Sequence, residues 1–395
     1  MLSKNIQACR YKELDALRGV AALMVVLFHY TMGRPEAQFG FNLGTTGVDL
    51  FFIISGFVIF MSLAKVKDSS DFVINRVSRL YPTYWACVSF TFILICAASL
   101  YLNGDFRQIN VLAYLGNLTM FQLYLNISDL DGPYWTMIVE MIFYISILIL
   151  FHFKLLKFLN IIGITLSVFV AVMTSVFYDY SFVKEILLWI PLLQFIPLFF
   201  AGTIFYKMKA NKSGLVEQYL ILAICLTTQI LLFYNSGRSH QFITHIEYAT
   251  LLTIYFALFI FFVNGKLSFI VSKGTLFLGK ISFALYLIHQ FISIEIMIPF
   301  LTQKLQINFW IASLIISLPI VIILSTIITY YIEIPMSKRM KEKLCKLKTV
   351  NIADIHNSNN PLKSEPSFDN GMLAVSLVEV KSVDTLMNNS TNQSM

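Results

Sequence analysis

The sequence predicts an all-α fold, a polytopic transmembrane bundle of about ten helices with both termini in the cytoplasm. Three observations carry that reading. Only 13% of the 395 residues are charged and 57% are hydrophobic; a soluble domain holds about 25% charged residues. Ten apolar stretches approach the roughly 20 residues that a helix needs to cross the hydrocarbon core. Lysine and arginine fall mostly into alternate connections, as the positive-inside rule requires.

The stretches cover approximately 14–32, 45–64, 82–102, 134–153, 158–178, 186–206, 217–236, 246–264, 276–298 and 308–332. Segment 111–125 (VLAYLGNLTMFQLYL) is shorter and softer, and is expected as a re-entrant or interfacial helix, with an eleventh crossing as the alternative. The first apolar stretch follows Lys4, Arg10, Lys12 and Asp15 and has no small-residue cleavage pattern, so it is expected to be a retained helix. With the N-terminus inside, Lys65, Lys67, Arg76, Arg79, Lys154, Lys157, Lys207, Lys209, Lys212, Lys266, Lys273, Lys338, Arg339, Lys341 and Lys343 reach the cytoplasmic side. Only Arg34, Arg107, Lys184, Arg238 and Lys304 reach the other. Topology thus accounts for the net charge of +7 with no nucleic acid.

Residues 1–348 are expected as one membrane domain. Beyond Lys348 the chain turns polar, and 349–395 are expected as a disordered cytoplasmic tail. The five cysteines show neither paired nor metal-ligand spacing, and Cys87, Cys96 and Cys225 sit in apolar runs as small hydrophobes.

Ionisable residues inside a membrane cost at least ~2.5–3.5 kcal/mol each by insertion scales, so each needs a reason. Arg18 and His29 stand eleven residues apart in the first stretch. That is three turns with about 20° of drift, so they share a face and lie roughly 16 Å apart along the axis. The alternative has Arg18 snorkelling to lipid phosphates and His29 bonded within the bundle. Asp49 opens the second stretch, at a depth near that of His29, where it is placed to orient the imidazole. A carboxylate stabilised by the helix N-terminus is the other reading of Asp49. Glu140 follows Pro133 by roughly 10 Å of helix, and His289 lies roughly 18 Å along from Phe277. His29, Asp49, Glu140 and His289 are therefore expected to form one buried polar cluster in the outer half. On the inner side Arg76 and Arg79 share a helical face just before Pro82, which fits the first turn of the third crossing. With Arg18 they make a candidate phosphate clamp, against positive-inside topology as the plain alternative.

In this order, LDALRGVAALMVVLFH, GVDLFFIISGFVI, FVINRVSRLYPTYW and GKISFALYLIH resemble the integral-membrane acyltransferase-3 family, whose members acylate sugars of cell-surface polysaccharides. WTMIVEMIFY, with Glu140, and the Glu333–Pro335 sequence EIP are similar to further family segments. The resemblance spans about residues 10–340 and implies an acyl-coenzyme A donor, acetyl by family habit, taken from the cytoplasm. It implies a carbohydrate acceptor beyond the membrane, Arg18 and His29 as leading functional residues, and Arg76 and Arg79 as a second basic motif. Asp49, Glu140 and His289 match recurrent family positions. Many relatives carry an added extracytoplasmic hydrolase-like domain, which this sequence does not show.

The expected activity is O-acyl transfer at the plasma (inner) membrane. Coenzyme A docks on Arg18, Arg76 and Arg79, and His29 acts as general base or as acyl-carrying nucleophile. GxSxG is absent, which disfavours a serine acyl-enzyme. The rivals are a transporter or flippase that uses the His and carboxylate groups as a proton relay, and a non-catalytic sensor.

Overall fold

The computed structural model describes residues 11–35, 40–101, 110–211, 213–234 and 239–358, and among these it contains helices and no strand. Among the described residues nine helices are long and apolar enough to cross a membrane, and a tenth apolar helix has 17 residues. The chain is a multi-pass membrane helix bundle. In order the helices are α1 (Lys12–Thr31), α2 (Gly47–Leu63), α3 (Ser69–Tyr101), α4 (Val111–Asn117), α5 (Trp135–His152), α6 (Leu159–Phe177) and α7 (Ser181–Trp189). There follow α8 (Ile196–Ala210), α9 (Leu215–Leu231), α10 (His245–Val263), α11 (Lys273–Gln290), α12 (Leu318–Ile328) and α13 (Ile334–Ser358). Arg107, Lys212, Arg238 and residues 359–395 of the expected tail lie outside the described residues, while the α13 backbone runs on past Lys348.

Local chemistry explains where the predicted boundaries move. α3 starts at Ser69, and Pro82 sits inside it instead of in its first turn. Proline removes one backbone donor there, and side chains around it anchor the helix: Trp85 Nε1–H donates to Leu118 O at 2.9 Å and Tyr81 O–H to Thr119 O at 3.1 Å. The 186–206 stretch breaks into α7 and α8. Pro191 pushes the preceding Ile190 out of the helical region, to φ −124° and ψ 69°, and Pro197 restarts the helix from its first turn. α4 has only seven residues, about 10 Å of helix, which cannot cross a core of about 30 Å. The short-segment reading of 111–125 therefore holds over the eleventh crossing.

Two glycine contacts set the packing around the site. α1 and α11 run parallel: His29 meets His289, and Arg34 Nη2 donates to Ile294 O at 3.4 Å, both at a sequence separation of 260. Their closest approach is at Gly19 and Gly279. A Cβ on Gly279 would collide with the Asp15 carbonyl, and one on Gly19 with Gly279 N and Thr275 O. Likewise a Cβ on Gly56 of α2 would strike Phe199 O, and one on Gly202 of α8 would strike Ile53 O. Small residues let membrane helices approach to backbone contact, which replaces the hydrophobic drive absent in lipid.

The helices after His289 depart from ordinary α geometry. Segments Phe291–Met297 and Phe300–Lys304 widen to π-type turns, as do Ile311–Ser317 before α12 and Thr329–Glu333 after it. Such wide turns are rare and cluster near functional sites. At the first of them Phe291 N–H donates to the buried Asp131 carboxylate, at 3.1 Å to Oδ1 and 3.2 Å to Oδ2. Far from this end, Lys348 Nζ reaches Asp68 Oδ2 at 2.6 Å and Asp71 Oδ1 at 2.7 Å, joining the start of α3 to α13. The Lys348 hydrogen bond holds the Asp68 carboxyl below its ordinary value.

Candidate active site

α1, α2, α3, α5, α11 and the wide turn before α13 line a cavity of about 280 Å³. Its charged lining is balanced, with Arg18, Arg79 and Lys280 against Asp15, Glu140 and Glu333. Even so, neither Arg18 nor Arg79 makes an ion pair or hydrogen bond among the described residues, so both guanidiniums keep donors for an anion. Lys280 is held apart, its Nζ 3.9 Å from the centroid of the Tyr330 ring.

Arg76 is placed differently from the expected clamp. It is buried and does not line the cavity. Its guanidinium carbon lies 5.5 Å from the Tyr144 ring centroid and 5.7 Å from that of Phe72. Tyr144 O–H in turn donates to Glu140 Oε1, which also accepts from Ser55 Oγ at 3.1 Å. Arg76 thus supports the wall that carries Glu140, while Arg79, one turn on, faces the cavity.

The two histidines meet away from this chamber. His29 Nδ1 and His289 Nε2 are 2.8 Å apart, with ring centroids at 5.0 Å. His289 Nδ1 lies 2.8 Å from Tyr286 O and 3.2 Å from Leu285 O. Carbonyl oxygens only accept, so that Nδ1 carries a proton. In a neutral pair the His289 Nε2 is then the acceptor and His29 Nδ1–H the donor, which leaves the lone pair on His29 Nε2. His289 is fully buried, and His29, half-buried, makes no other hydrogen bond among the described residues. The neighbouring Tyr30 hydroxyl bonds Ser293 Oγ at 2.7 Å, tying α1 to the wide-turn segment that follows α11.

The single four-residue cluster expected from sequence is therefore divided. His29 and His289 pair, Glu140 lines the cavity with the arginines, and Asp49 joins neither group. Asp49 is buried in the first turn of α2, with Oδ2 lacking a hydrogen-bond partner among the described residues. The imidazole partner of His29 is His289, not Asp49. The carboxylate sits instead where a helix N-terminus favours negative charge.

Sequence reasoning passed over Lys280, Tyr144 and Tyr286. Gly279, Ser282, Phe283 and Tyr286 recur at three- and four-residue spacing, and all line the cavity, so the stripe itself was a readable signal.

The sequence profile of a family described as an acyltransferase domain matches residues 11–333. The chain belongs to that family. This acyltransferase is 24% identical to ORF330 of Acidianus two-tailed virus over 70% of its own length and 82% of the viral protein's. It is 27% identical to the O-acetyl transferase of Shigella phage Sf6 over 51% of its length and 64% of the phage protein's. It is also 26% identical to the O-acetyltransferase OatA of Staphylococcus aureus, over 70% of its length and 49% of OatA's. The acyltransferase thus spans about half of OatA. No solved structure matches it.

Proposed function

We propose that this acyltransferase is an inner-membrane O-acetyltransferase that moves acetyl from cytoplasmic acetyl-coenzyme A to a hydroxyl of a surface polysaccharide or its precursor. The names of the phage and staphylococcal relatives support the acetyl group and its oxygen-linked acceptor. The asymmetry of Lys and Arg supports cytoplasmic termini and a cytoplasmic donor. The observation that carries the chemistry is the order of groups along α1: an arginine lining the cavity with no ion pair among the described residues, then roughly 16 Å along the axis an imidazole with its Nε2 unoccupied among them.

In this reading Arg18 and Arg79 take the coenzyme A phosphates, and Glu140 and Glu333 in the same lining offset the repulsion between the two guanidiniums until an anion arrives. His29 Nε2 removes the proton of the acceptor hydroxyl as the oxygen attacks the thioester carbonyl. The tetrahedral intermediate expels the coenzyme A thiolate, which takes the proton back from His29. His289 accepts from His29 Nδ1–H throughout, and so presents Nε2 to the reacting atoms.

The test uses labelled acetyl-coenzyme A and membranes that contain the native acceptor. Label is expected in carbohydrate with the wild-type chain and is expected to fall by about 10²–10⁴-fold with His29→Ala. Undiminished transfer by that variant refutes the base assignment. Thioester-independent uptake of substrate in place of transfer supports the transporter reading.

A further inference from the structure

The cavity that holds the arginines includes neither His29 nor His289 in its lining, yet one lining residue touches the pair. Tyr286 lines the cavity, and its backbone carbonyl accepts from His289 Nδ1–H. Its ring centroid lies 6.0 Å from that of His289 and, on the other flank, 5.6 Å from that of Phe51, which meets it edge-on. The ring is buried and its hydroxyl lies 3.0 Å from Thr136 Oγ1. The Thr136 proton is already engaged, donating to Pro133 O at 2.9 Å. Tyr286 O–H is therefore the donor to Thr136, and the ring, packed between Phe51 and His289, stands between the cavity and the imidazole pair.

We propose that the Tyr286 side chain, backed by Phe51, is the specificity-determining wall of the acyl subsite: it passes a two-carbon acyl group from the cavity toward His29 and rejects longer ones. This rests on the acyl-transfer reading above and adds the identity of the residue that sizes the acyl group. A thioester entering past Arg18 and Arg79 leads with its acyl end, and that end meets the Tyr286–Phe51–Thr136 constriction before it meets an imidazole. Interiors packed this closely respond to a single methylene. Because the tautomer of His289 depends on the Tyr286 carbonyl and not on its ring, truncating the ring changes the passage and keeps the imidazole pair.

The experiment supplies labelled acetyl-, butanoyl- and hexanoyl-coenzyme A to membranes of the native cells. These cells carry the full chain as wild type, Tyr286→Phe, Tyr286→Ala or Phe51→Ala, and label is counted in carbohydrate. The wild type and Tyr286→Phe, which keeps the bulk, are expected to favour acetyl strongly. Both alanine variants are expected to raise the butanoyl-to-acetyl ratio by about tenfold or more, as one or two methylenes in a sized pocket allow. An unchanged ratio in alanine variants that accumulate and still transfer acetyl overturns the proposal, as does a wild type that uses butanoyl as readily as acetyl. A wild type that transfers no acyl group at all overturns the acyl-transfer reading itself. If neither alanine variant accumulates, Tyr286→Trp decides: slower acetyl transfer with unaltered coenzyme A binding supports the wall, and unaltered transfer overturns it.

Discussion

Arg18 and His29 occupy one face of one helix, yet they open onto different surroundings: Arg18 lines the cavity, and His29 is bonded to His289. The pantetheine arm of a bound coenzyme A is the kind of extended, flexible chain that joins two such places. Substitutions on α1 should accordingly separate donor binding from chemistry.

Arg18→Ala and Arg79→Ala are expected to raise KM for acetyl-coenzyme A by about tenfold or more each, the loss of a charge-assisted contact of roughly 1.5–3 kcal/mol. Arg18→Lys should recover only part of this, since a lysine lacks the planar fork that pairs with phosphate. Arg76→Lys should behave otherwise. It removes the stacking on Phe72 and Tyr144, so the thermal midpoint is expected to drop while KM moves little. Initial rates and melting curves on the same preparations distinguish the two patterns.

His289→Ala removes the acceptor that orients His29. The expected result is a fall in kcat of roughly 10²-fold or more with KM for the donor unchanged, as for other catalytic imidazoles whose orienting partner is lost. Asp49→Asn, by contrast, should leave kcat within about threefold of wild type, because Asp49 makes no hydrogen bond to either imidazole. Steady-state kinetics at saturating donor measure both, and a collapse of kcat in Asp49→Asn would sink the division of the polar residues described above.

Gly279→Ala places a methyl group against the Asp15 carbonyl, a backbone atom that cannot swing aside. α1 and α11 must then separate, which lengthens the bond between the two imidazoles. A lower melting temperature together with lost transfer is expected, by about 1–3 kcal/mol for an overpacked contact. Gly265→Ala, at a position with open space but a positive φ of 72°, is expected to cost stability alone. Thermal melts paired with transfer assays separate these outcomes.

The clamp of Lys348 on Asp68 and Asp71 is expected to respond to acid. The Asp68 carboxyl titrates lower in the folded chain than in the unfolded one. Its stabilising contribution is therefore complete above about pH 4 and fades as the pH drops through the lowered folded value. Lys348→Ala should reduce this part of the acid dependence and leave the share held by the Asp71 N–H bond to Asp68 Oδ1 at 2.9 Å. The effect should be small and should shrink with added salt, since Asp68 is half exposed. Melting temperatures taken from pH 3 to 7 (~), at low and high salt, measure it.

Much of this arrangement was legible in the residues. Length and hydrophobicity marked the crossings, and the spacing of Arg18 and His29 placed them on one face, because both depend on nothing but helical geometry. Asp49 and Glu140 were misjudged for a definite reason. Distance along an axis gives depth, but rotation about that axis decides which neighbour a side chain meets, and nothing local fixes it. Pro82 and Pro191 show the same limit: one is absorbed in a long helix anchored by Trp85 and Tyr81, while the other breaks its helix. The pairing of His29 with His289 was unreadable because it depends on the adjacency of α1 and α11.

That adjacency also has a bearing on biogenesis. The contact between the first crossing and α11 joins residues 260 positions apart, and pairings this distant form late. As the chain emerges, α1 must reside in the bilayer with a guanidinium and an imidazole still awaiting their neighbours, while the ribosome makes most of the remaining protein. A chain stopped anywhere before Gly279 has no groove to receive Gly19, so interrupted synthesis yields a product with no assembled centre instead of a partly active one.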